Sequence, residues 1–313
     1  MFKKINNDRF GHIYSTINIE DVCFFRQLSL LIDDMEDKKT ALIIEGGGQR
    51  GVFSFGITDT FINRAYDPFD IYIGVSNGVA VLYWYLIRET DNNLEKMLFA
   101  AKGDYLSYKN IFTGKDIFKF HQMFKDGEKM FKPNIENIKN NIDGKDYIAV
   151  VTDAIEANAE YYSFGDDEWM PKMIASGTLP VLVKTPSLIN GRRKFDGGIM
   201  DPLPAKKAYE MGAKRILIIR TYEKKFRRKL KLENYIGALL LREYPKLRKA
   251  LLEHDKTYNR ALDFINNPPE DCEIIQLCPP KKLKSKRDSK NIEVLKADYM
   301  LGKKVAEDFL VNP

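Results

Sequence analysis

Residues 41–51, ALIIEGGGQRG, join a run of apolar residues to three consecutive glycines. The apolar run is short and ends at a glycine turn, which predicts a buried β-strand. Glycine weakens helices and strands, so three together indicate a backbone that must turn tightly or leave its amide groups free. Residues 52–65 then carry apolar side chains at mixed helical spacing. The segment therefore predicts a strand, a glycine loop (residues 46–51) and a helix whose N-terminal amides can face negative charge.

The chain then continues to alternate apolar strands with helices. A second strand is predicted in residues 70–78, DIYIGVSNG, and a buried helix follows from residue 79. After a helical stretch over about 93–141, strands are predicted in YIAVVTDA and EYYSF, and a hairpin at Asn190-Gly191. A helix that begins near a proline, a stop at Gly212 and another buried strand follow. This pattern predicts an α/β fold with a mainly parallel central sheet sandwiched between helices.

Three regions are predicted along the chain. Residues 1–40 form an N-terminal extension packing on the core, and residues 41–221 form the α/β core itself. Residues 222–313 form a basic, mostly helical C-terminal region, which is either part of the same domain or a small appended lobe. Within it, residues 279–290, PPKKLKSKRDSK, are interpreted as a charged linker before a final helix in residues 292–310.

The composition argues against a disulfide-stabilised, zinc-binding or membrane-spanning protein. The net charge of +6 is mild, and Cys23, Cys272 and Cys278 lack the spacing of a disulfide framework or a zinc site. The first residues carry no apolar stretch typical of a signal peptide, and the longest apolar run, residues 79–87, is too short for a membrane span of about 20 residues. We expect a cytoplasmic protein, at most peripheral to a membrane, with no metal and no cofactor. The oligomeric state is not indicated.

The glycine loop has three interpretations. Formally GGGQRG satisfies G-x-G-x-x-G, the dinucleotide-binding fingerprint, which also requires an acidic residue that closes the second strand. Asp70 has the required distance in sequence but begins that strand instead of ending it. The loop is otherwise a tight turn without a ligand, or an oxyanion hole in which free amides stabilise transient negative charge.

A second motif, Gly74-Val75-Ser76-Asn77-Gly78, stands between a predicted strand and a predicted helix. In G-x-S-x-G the glycines let the chain turn sharply, so that the serine hydroxyl is exposed above the sheet. Helix N-terminal amides beneath it favour a nucleophile with partial negative charge. The alternative is a packed turn with a capping serine. The motif favours Ser76 as a nucleophile and the oxyanion-hole interpretation of the glycine loop.

A serine nucleophile needs a base, and the histidines are poorly placed to supply one. His12, His121 and His254 lie in polar or helical segments, away from strand ends. Only His254 follows both Ser76 and Asp196, in the Ser-Asp-His order of α/β-hydrolases. Asp196 itself precedes Gly197 and Gly198 after the predicted hairpin, and burial would raise its pKa and strengthen it as a proton acceptor. The alternative for Asp196 is a loop cap.

Together, GGGQRG, GVSNG and DGG resemble the patatin-like phospholipase family over residues 41–221. The resemblance implies a Ser–Asp dyad without histidine, in which Ser76 is the nucleophile and Asp196 activates it. It also implies that Gly47 and Gly48 supply oxyanion amides and that Arg50 holds the loop. The remaining motif positions are Gly46 and Gly51 in the oxyanion loop, Gly74 and Gly78 at the nucleophile elbow, and Gly197 and Gly198 after the aspartate.

The resemblance implies a lipid acyl hydrolase that cleaves carboxylic esters through an acyl-serine intermediate. This chain departs from the family pattern at Glu45, where the family often has aspartate, and residues after 221 match none of its motifs. Two alternatives remain open: an α/β-hydrolase esterase with a Ser76/Asp196/His254 triad, and a non-catalytic module that binds a nucleotide or a lipid.

Residues 224–252 contain ten Lys or Arg and only two Glu, interleaved with leucines, and Pro245 is expected to split them into two helices. A basic amphipathic helix can lie on an anionic membrane, with about 1 kcal/mol contributed by each basic residue near the surface. The alternative is a helix that covers the core and exposes a solvated basic face. No recognition motif accompanies the charge, so nucleic-acid binding is not expected.

Overall fold

A computed structural model describes residues 38–89, 93–113, 115–163, 169–180, 182–185 and 187–311. The predicted N-terminal extension lies outside the described residues, except for its last three positions, and so do His12 and Cys23. Every statement about the structure below refers to the described ranges.

The centre of the described chain is one mixed β-sheet of eight strands. Hydrogen-bonded neighbours follow the path β5-β6-β3-β2-β1-β7-β8, and β4 also pairs with β3. The four pairings among β3, β2, β1, β7 and β8 are parallel, whereas β4, β5 and β6 are joined by antiparallel pairings. The predicted mainly parallel sheet is therefore confirmed. The strands are β1 (Lys39–Ile44), β2 (Ile71–Val75), β3 (Asp146–Asp153), β4 (Ala159–Ser163), β5 (Ser187–Ile189), β6 (Arg192–Asp196), β7 (Ala213–Ile219) and β8 (Glu273–Leu277).

Helices cover both faces of this sheet, because alternate residues of each central strand enter different cores. Leu42 and Ile44 of β1 belong to one buried cluster, and Ala41 and Ile43 belong to another. This two-sided burial explains why the central strands are apolar throughout. The helices are α1 (Gly51–Asn63), α2 (Asn77–Ile87), α3 (Asn93–Lys102), α4 (Phe120–Phe131), α5 (Ile135–Asn141), α6 (Trp169–Gly177), α7 (Ala205–Glu210), α8 (Leu232–Leu240), α9 (Pro245–Leu252), α10 (His254–Asn266) and α11 (Ile292–Val311).

The C-terminal residues contribute to the same sheet and to the same cores. Strand β8 pairs in parallel with β7, and the last helix, α11, packs against α1. Glycines make that helix contact close: a Cβ on Gly302 would lie 2.0 Å from the carbonyl oxygen of Phe53, and one on Gly56 would lie 2.1 Å from that of Tyr299. The backbones of the first and last described helices therefore touch.

Several local predictions need correction. Residues 224–231 were expected to be helical but are not, because Asn259 of α10 bonds both the N–H and the C=O of Arg228. Strand β8 was not predicted. The predicted linker 279–290 is packed against the rest of the protein, since Leu283 and Ser285 are buried. Residues 103–113 and 115–119, which contain a short 3-10 helix at Tyr108–Phe112 but no α-helical turn before Phe120, interrupt the predicted helical stretch 93–141. Pro245 does begin a new helix, as predicted.

None of the helices in the described ranges combines the length and the apolar composition that a bilayer span requires.

Candidate active site

Ser76 stands at a sharp turn between β2 and α2. Its backbone has φ 55° and ψ −129°, a strained conformation for a residue with a side chain. The flanking glycines make the turn possible, because neither site has room for a side chain. A Cβ on Gly74 would lie 2.7 Å from the nitrogen of Val79, and one on Gly78 would lie 2.2 Å from the carbonyl oxygen of Ile44.

Strand register brings Asp196 to Ser76. Val75, the last residue of β2, is opposite Val150 of β3, and Asp196, the last residue of β6, is opposite Val151. Strand β4 pairs with residues 148–152 of β3, a stretch that overlaps both of these pairings, so β4 lies along one edge of β3 while β2 and β6 share the other edge. The C-terminal ends of β2 and β6 therefore meet. The Ser76 hydroxyl lies close enough to the Asp196 carboxylate to stabilise its ionised form and lower its pKa.

Several further contacts fix Asp196. Its Oδ1 accepts a hydrogen bond of 2.8 Å from the N–H of Gly198, and its carbonyl oxygen accepts one of 2.9 Å from the Thr152 hydroxyl. Gly197 leaves room for this arrangement, since a Cβ there would lie 2.2 Å from the carbonyl oxygen of Val150. The carboxylate is therefore held in one orientation toward Ser76.

The ionisation of Asp196 is also unusual. Burial raises the pKa of this carboxyl from 3.8 to about 6, although bonds from Ser76 and Gly198 and the charges of Arg287 and Arg228 act in the opposite direction. A carboxylate with a pKa near 6 is a stronger base than an exposed one and is still mostly ionised at neutral pH.

The glycine loop lies directly against Ser76. A Cβ on Gly46 would lie 2.7 Å from Ser76 Cβ, and one on Gly51 would lie 2.0 Å from the Asn77 side-chain nitrogen. Gly48 has φ +56°, and a Cβ there would lie 2.5 Å from the carbonyl oxygen of Arg287. These contacts give a physical reason for glycine at each of the three positions.

Hydrogen bonds hold the carbonyl groups of this loop and leave amides unused. Each carbonyl in the glycine run has a donor: Thr221 Oγ1 for Gly46 at 3.0 Å, the Arg50 N–H for Gly47 at 3.3 Å, and Asn77 Nδ2 for Gly48 at 3.0 Å. No atom of the described residues accepts a hydrogen bond from the N–H of Gly47 or Gly48. Unpaired amides beside a serine hydroxyl can stabilise an oxyanion.

Glu45, the departure from the family pattern, lies behind the loop. Its buried carboxylate accepts hydrogen bonds of 2.6 Å from the Thr221 N–H and 2.7 Å from the Tyr258 hydroxyl. On the other side, the Arg50 guanidinium stacks over the Tyr222 ring at 3.8 Å. These contacts connect both ends of the glycine loop to the chain that follows β7.

A cavity of about 500 Å³ opens beside Ser76, Asp196 and the glycine loop. Much of its wall is apolar and comes from α2, α3, α4 and α6. The lining residues with large apolar side chains include Trp84, Phe99, Phe120, Phe124, Trp169 and Met173. The cavity therefore joins the polar groups of Ser76, Asp196 and the glycine loop to a wide apolar space.

The model of the patatin-like phospholipase family matches residues 42–209, just over half of the chain, and includes the elements that carry Ser76, Asp196 and the glycine loop. The chain belongs to the patatin-like phospholipase family. The match confirms the resemblance inferred from the three motifs. Residues 244–312 of this patatin-like protein match a second model, a domain of unknown function (DUF6363).

Known proteins that are similar to this patatin-like chain include two from bacteria. The uncharacterized protein YjjU of Escherichia coli K12 is 26% identical over 283 residues, which cover 88% of this chain and 78% of YjjU. The crystal structure of VipD from Legionella pneumophila is 14% identical with a TM-score of 0.39, and the alignment covers 87% of this chain and 67% of that chain.

His254 also lines the cavity of the patatin-like protein, but it bonds to neither Ser76 nor Asp196. Within the described residues its Nε2 is shielded from solvent and has no hydrogen-bond partner. Burial and the charges of Arg228 and Arg287 lower the pKa of this histidine to about 3, so the imidazole is neutral. His121 lies on α4 and does not line the cavity.

The other site alternatives gain no support from the described geometry. Asp70 is at the start of β2, where it accepts a hydrogen bond of 2.7 Å from the Thr40 N–H, at the strand end opposite Ser76. In the described part of the chain no group of three His, Cys, Asp or Glu side chains is arranged to hold a metal ion. Cys272 and Cys278 are free thiols.

Sequence reasoning missed several residues of this patatin-like site. Ser176 Oγ accepts a hydrogen bond of 3.0 Å from the Ser76 N–H and donates one of 2.6 Å to the carbonyl oxygen of Val150. Ser176 lies in the run Ala175-Ser176-Gly177, which is part of the sequence that resembles the family, so the sequence did contain a signal for this residue. Tyr258, Arg228 and Arg287 carry no motif, and only the three-dimensional packing places them at the cavity.

Proposed function

We propose that this patatin-like protein is a lipid acyl hydrolase that cleaves carboxylic esters with a Ser76–Asp196 dyad. The observation that carries the proposal is the proximity of the Ser76 hydroxyl to the buried Asp196 carboxylate at the adjoining ends of β2 and β6. The nearby N–H groups of Gly47 and Gly48 have no acceptor among the described residues. Family membership supports the same reaction class.

In the proposed first step, Ser76 Oγ attacks the ester carbonyl carbon while Asp196 accepts the hydroxyl proton. The carbonyl oxygen becomes an oxyanion, and the N–H groups of Gly47 and Gly48 stabilise it. As the intermediate collapses, the bond to the leaving alkoxide breaks, and protonated Asp196 returns the proton to that oxygen. The products of this step are an alcohol and an acyl-Ser76 ester.

In the second step, Asp196 removes a proton from a water molecule, which attacks the acyl carbonyl carbon. The same amides stabilise the second oxyanion, and the bond to Ser76 Oγ then breaks as the proton returns to the serine. The carboxylic acid leaves. Asp196 acts as base and then as acid in each half, so no histidine is required.

The apolar part of the cavity supports a lipid as the substrate. Burial of an acyl chain contributes about 0.8 kcal/mol for each CH₂ group removed from water. A wall rich in aromatic and methionine side chains from four helices provides the surface for such burial. The carbonyl carbon of the ester would lie at Ser76 and its acyl chain between α2, α4 and α6.

Two experiments on the serine test the proposal. A fluorophosphonate probe should label the wild-type protein, and Ser76→Ala should abolish labelling and lower ester hydrolysis by about 10³-fold or more while leaving the fold intact. Ser54→Ala is a matched control, because Ser54 is buried in α1 and its hydroxyl has no hydrogen-bond partner. Full activity of the Ser76 variant would leave the non-catalytic binding module as the better interpretation.

We further infer that α8 contacts an anionic membrane, within the segment 224–252 that the charge pattern indicated. Five large apolar side chains of this helix have between 46% and 74% of their surface exposed, which is unusual for a soluble surface. Basic residues precede and follow the helix, and Glu233 on it lines the cavity. The exposed residues are Leu232, Tyr235, Ile236, Leu239 and Leu240.

Vesicle binding tests this inference. The wild type should bind vesicles with anionic lipid, and binding should weaken as salt rises, because exposed charges are screened over about 8 Å at physiological ionic strength. Leu232→Ser with Leu240→Ser should reduce binding strongly. Leu188→Ser with Met300→Ser removes comparable exposed apolar surface elsewhere and serves as the control. Equal binding by the wild type and the α8 variant would show that this helix does not contact lipid.

A further inference from the structure

Two arginines from different parts of the chain line the cavity that holds Ser76 and Asp196. Arg228 lies between β7 and α8, and Arg287 lies between β8 and α11. Neither residue belongs to a motif, and the reaction proposed above uses neither. Their positions raise the question of what the positive charge binds.

Arg228 is held in place without a charged partner. Asn259 fixes its backbone with two hydrogen bonds of 2.9 Å, and its guanidinium carbon lies 4.4 Å from the centre of the Tyr258 ring and 5.5 Å from that of Tyr222. Its Nε is shielded from solvent and has no hydrogen-bond partner among the residues that the structure describes. No carboxylate of the described residues forms an ion pair with Arg228. The side chain is therefore preorganised, and its donors remain available.

Arg287 stands against the glycine loop. Its carbonyl oxygen accepts a hydrogen bond of 2.9 Å from the N–H of Gln49 and contacts Gly48. Its guanidinium pairs with Glu233 at 3.5 Å, but both side chains are partly exposed, and such surface pairs contribute little stability. An anion in the cavity could therefore replace Glu233 as the partner of Arg287.

The positive charges of the arginines lower the pKa values of two neighbouring side chains, Tyr222 and His254. Burial raises the pKa of the Tyr222 hydroxyl, yet the charges of Arg50, Arg228 and Arg287 outweigh burial and lower it below its ordinary value. Burial and the charges of Arg228 and Arg287 also keep His254 neutral. This end of the cavity favours an anion.

We propose that Arg228 and Arg287 bind the phosphate group of a glycerophospholipid or lysophospholipid whose acyl ester lies at Ser76. In such a lipid only the glycerol unit separates the acyl ester from the phosphate, and Ser76, Arg228 and Arg287 line the same cavity. The planar donor group of arginine suits phosphate oxygens. This inference rests on the proposed hydrolase function and adds its headgroup class. It also gives the C-terminal region a role in substrate selection.

A pair of substrates that differ only in the phosphate tests the proposal. The two are a 1-acylglycerol 3-phosphate and the 1-monoacylglycerol with the same acyl chain, each assayed below its micelle concentration. The wild type should prefer the phosphate ester in kcat/KM. Arg228→Gln with Arg287→Gln should lower the ratio of the two kcat/KM values by at least about 10-fold, the effect of losing a charge-assisted hydrogen bond.

Control variants separate local contacts from net charge. Lys286→Gln removes an exposed charge next to Arg287 that does not line the cavity, and it should leave the ratio unchanged. If the double variant does not fold, Arg287→Gln alone should still lower the ratio, because this side chain is partly exposed and its loss opens no core cavity. An unchanged ratio in a folded variant would overturn the phosphate subsite.

A binding measurement separates this proposal from the hydrolase proposal. Glycerol 3-phosphate should raise the Tm of the Ser76→Ala protein, and adding Arg228→Gln and Arg287→Gln should abolish the increase. If the wild type cleaves neither ester, the hydrolase proposal fails, and this measurement still decides the subsite. If inorganic phosphate raises the Tm as strongly and the substrate ratio does not depend on the arginines, the site binds free phosphate and the headgroup proposal is wrong.

Discussion

The proposed reaction centre and the arginine-bearing part of the cavity wall are built in different ways. Ser76, Asp196 and the glycine loop are attached to the ends of central strands, and their positions follow from strand register and from glycines without room for a Cβ. Arg228, Tyr258 and Arg287 come from irregular segments and a helix of the C-terminal region, and tertiary hydrogen bonds and ring stacking hold them. The difference suggests that the first set determines the chemistry, whereas the second determines which ester reaches it.

Among the following predictions, the largest expected loss of activity comes from a substitution in the first set, at Asp196. Asp196→Asn keeps the shape of the side chain and removes the proton acceptor, so kcat should fall by about 10² or more. Single-turnover kinetics with a soluble short-chain ester would measure the loss directly. Thermal unfolding should show that the variant is folded. Activity close to that of the wild type would exclude Asp196 as the base and would contradict the assignment of the chemistry to the first set of residues.

A substitution at the boundary between the two sets should have the next largest effect. Gly48→Ala imposes a side chain at φ +56° and places Cβ 2.5 Å from the Arg287 carbonyl oxygen, so the glycine loop must shift. We expect a loss in kcat of about 10- to 100-fold through a displaced oxyanion amide. Gly144→Ala is the control, since Gly144 has φ +71° but nothing within 4 Å. Equal losses in the two variants would attribute the effect to backbone strain alone.

Below pH 6, kcat/KM should fall by about 10-fold for each pH unit. Because Asp196 must be ionised to accept a proton and its pKa is raised to about 6, kcat/KM should fall as the pH drops below 6. Stability should change in the opposite direction. The folded protein holds the proton more tightly than the unfolded chain, so stability decreases by up to about 3 kcal/mol as the pH rises from 4 to 6.

Denaturant titrations of the wild type and Asp196→Asn across this pH range would measure the stability effect. The asparagine variant cannot release this proton, so its stability should lose this part of the pH dependence. If the two proteins show the same dependence between pH 4 and 6, other groups are responsible.

The smallest effect is expected at His254, in the second set. His254→Ala should change kcat for a soluble short-chain ester by no more than about threefold, because the neutral imidazole bonds to neither Ser76 nor Asp196. Steady-state kinetics and a thermal-unfolding control would be sufficient. A loss of 100-fold or more in a folded variant would mean that the Ser76/Asp196/His254 triad is correct.

The same contrast explains what could be predicted from the sequence. The strand–loop–helix units around Gly48 and Ser76 were predictable because a buried strand, a positive φ and a close backbone approach each impose a local pattern. The predicted helix over 224–231 failed because the backbone of Arg228 bonds to Asn259 instead of to its own segment. Strand β8 was missed because it is only five residues long and the residues before and after it in the sequence are charged or proline-rich.

The close packing of α1 against α11 at Gly56 and Gly302 has a consequence for how such proteins can change during evolution. Helix α1 follows the glycine loop within the segment matched to the patatin-like family, and α11 lies in the segment matched to DUF6363. Because the two backbones touch, a substitution at either glycine must be matched by a change in the partner helix. Recombination between relatives would therefore have to exchange the two segments together.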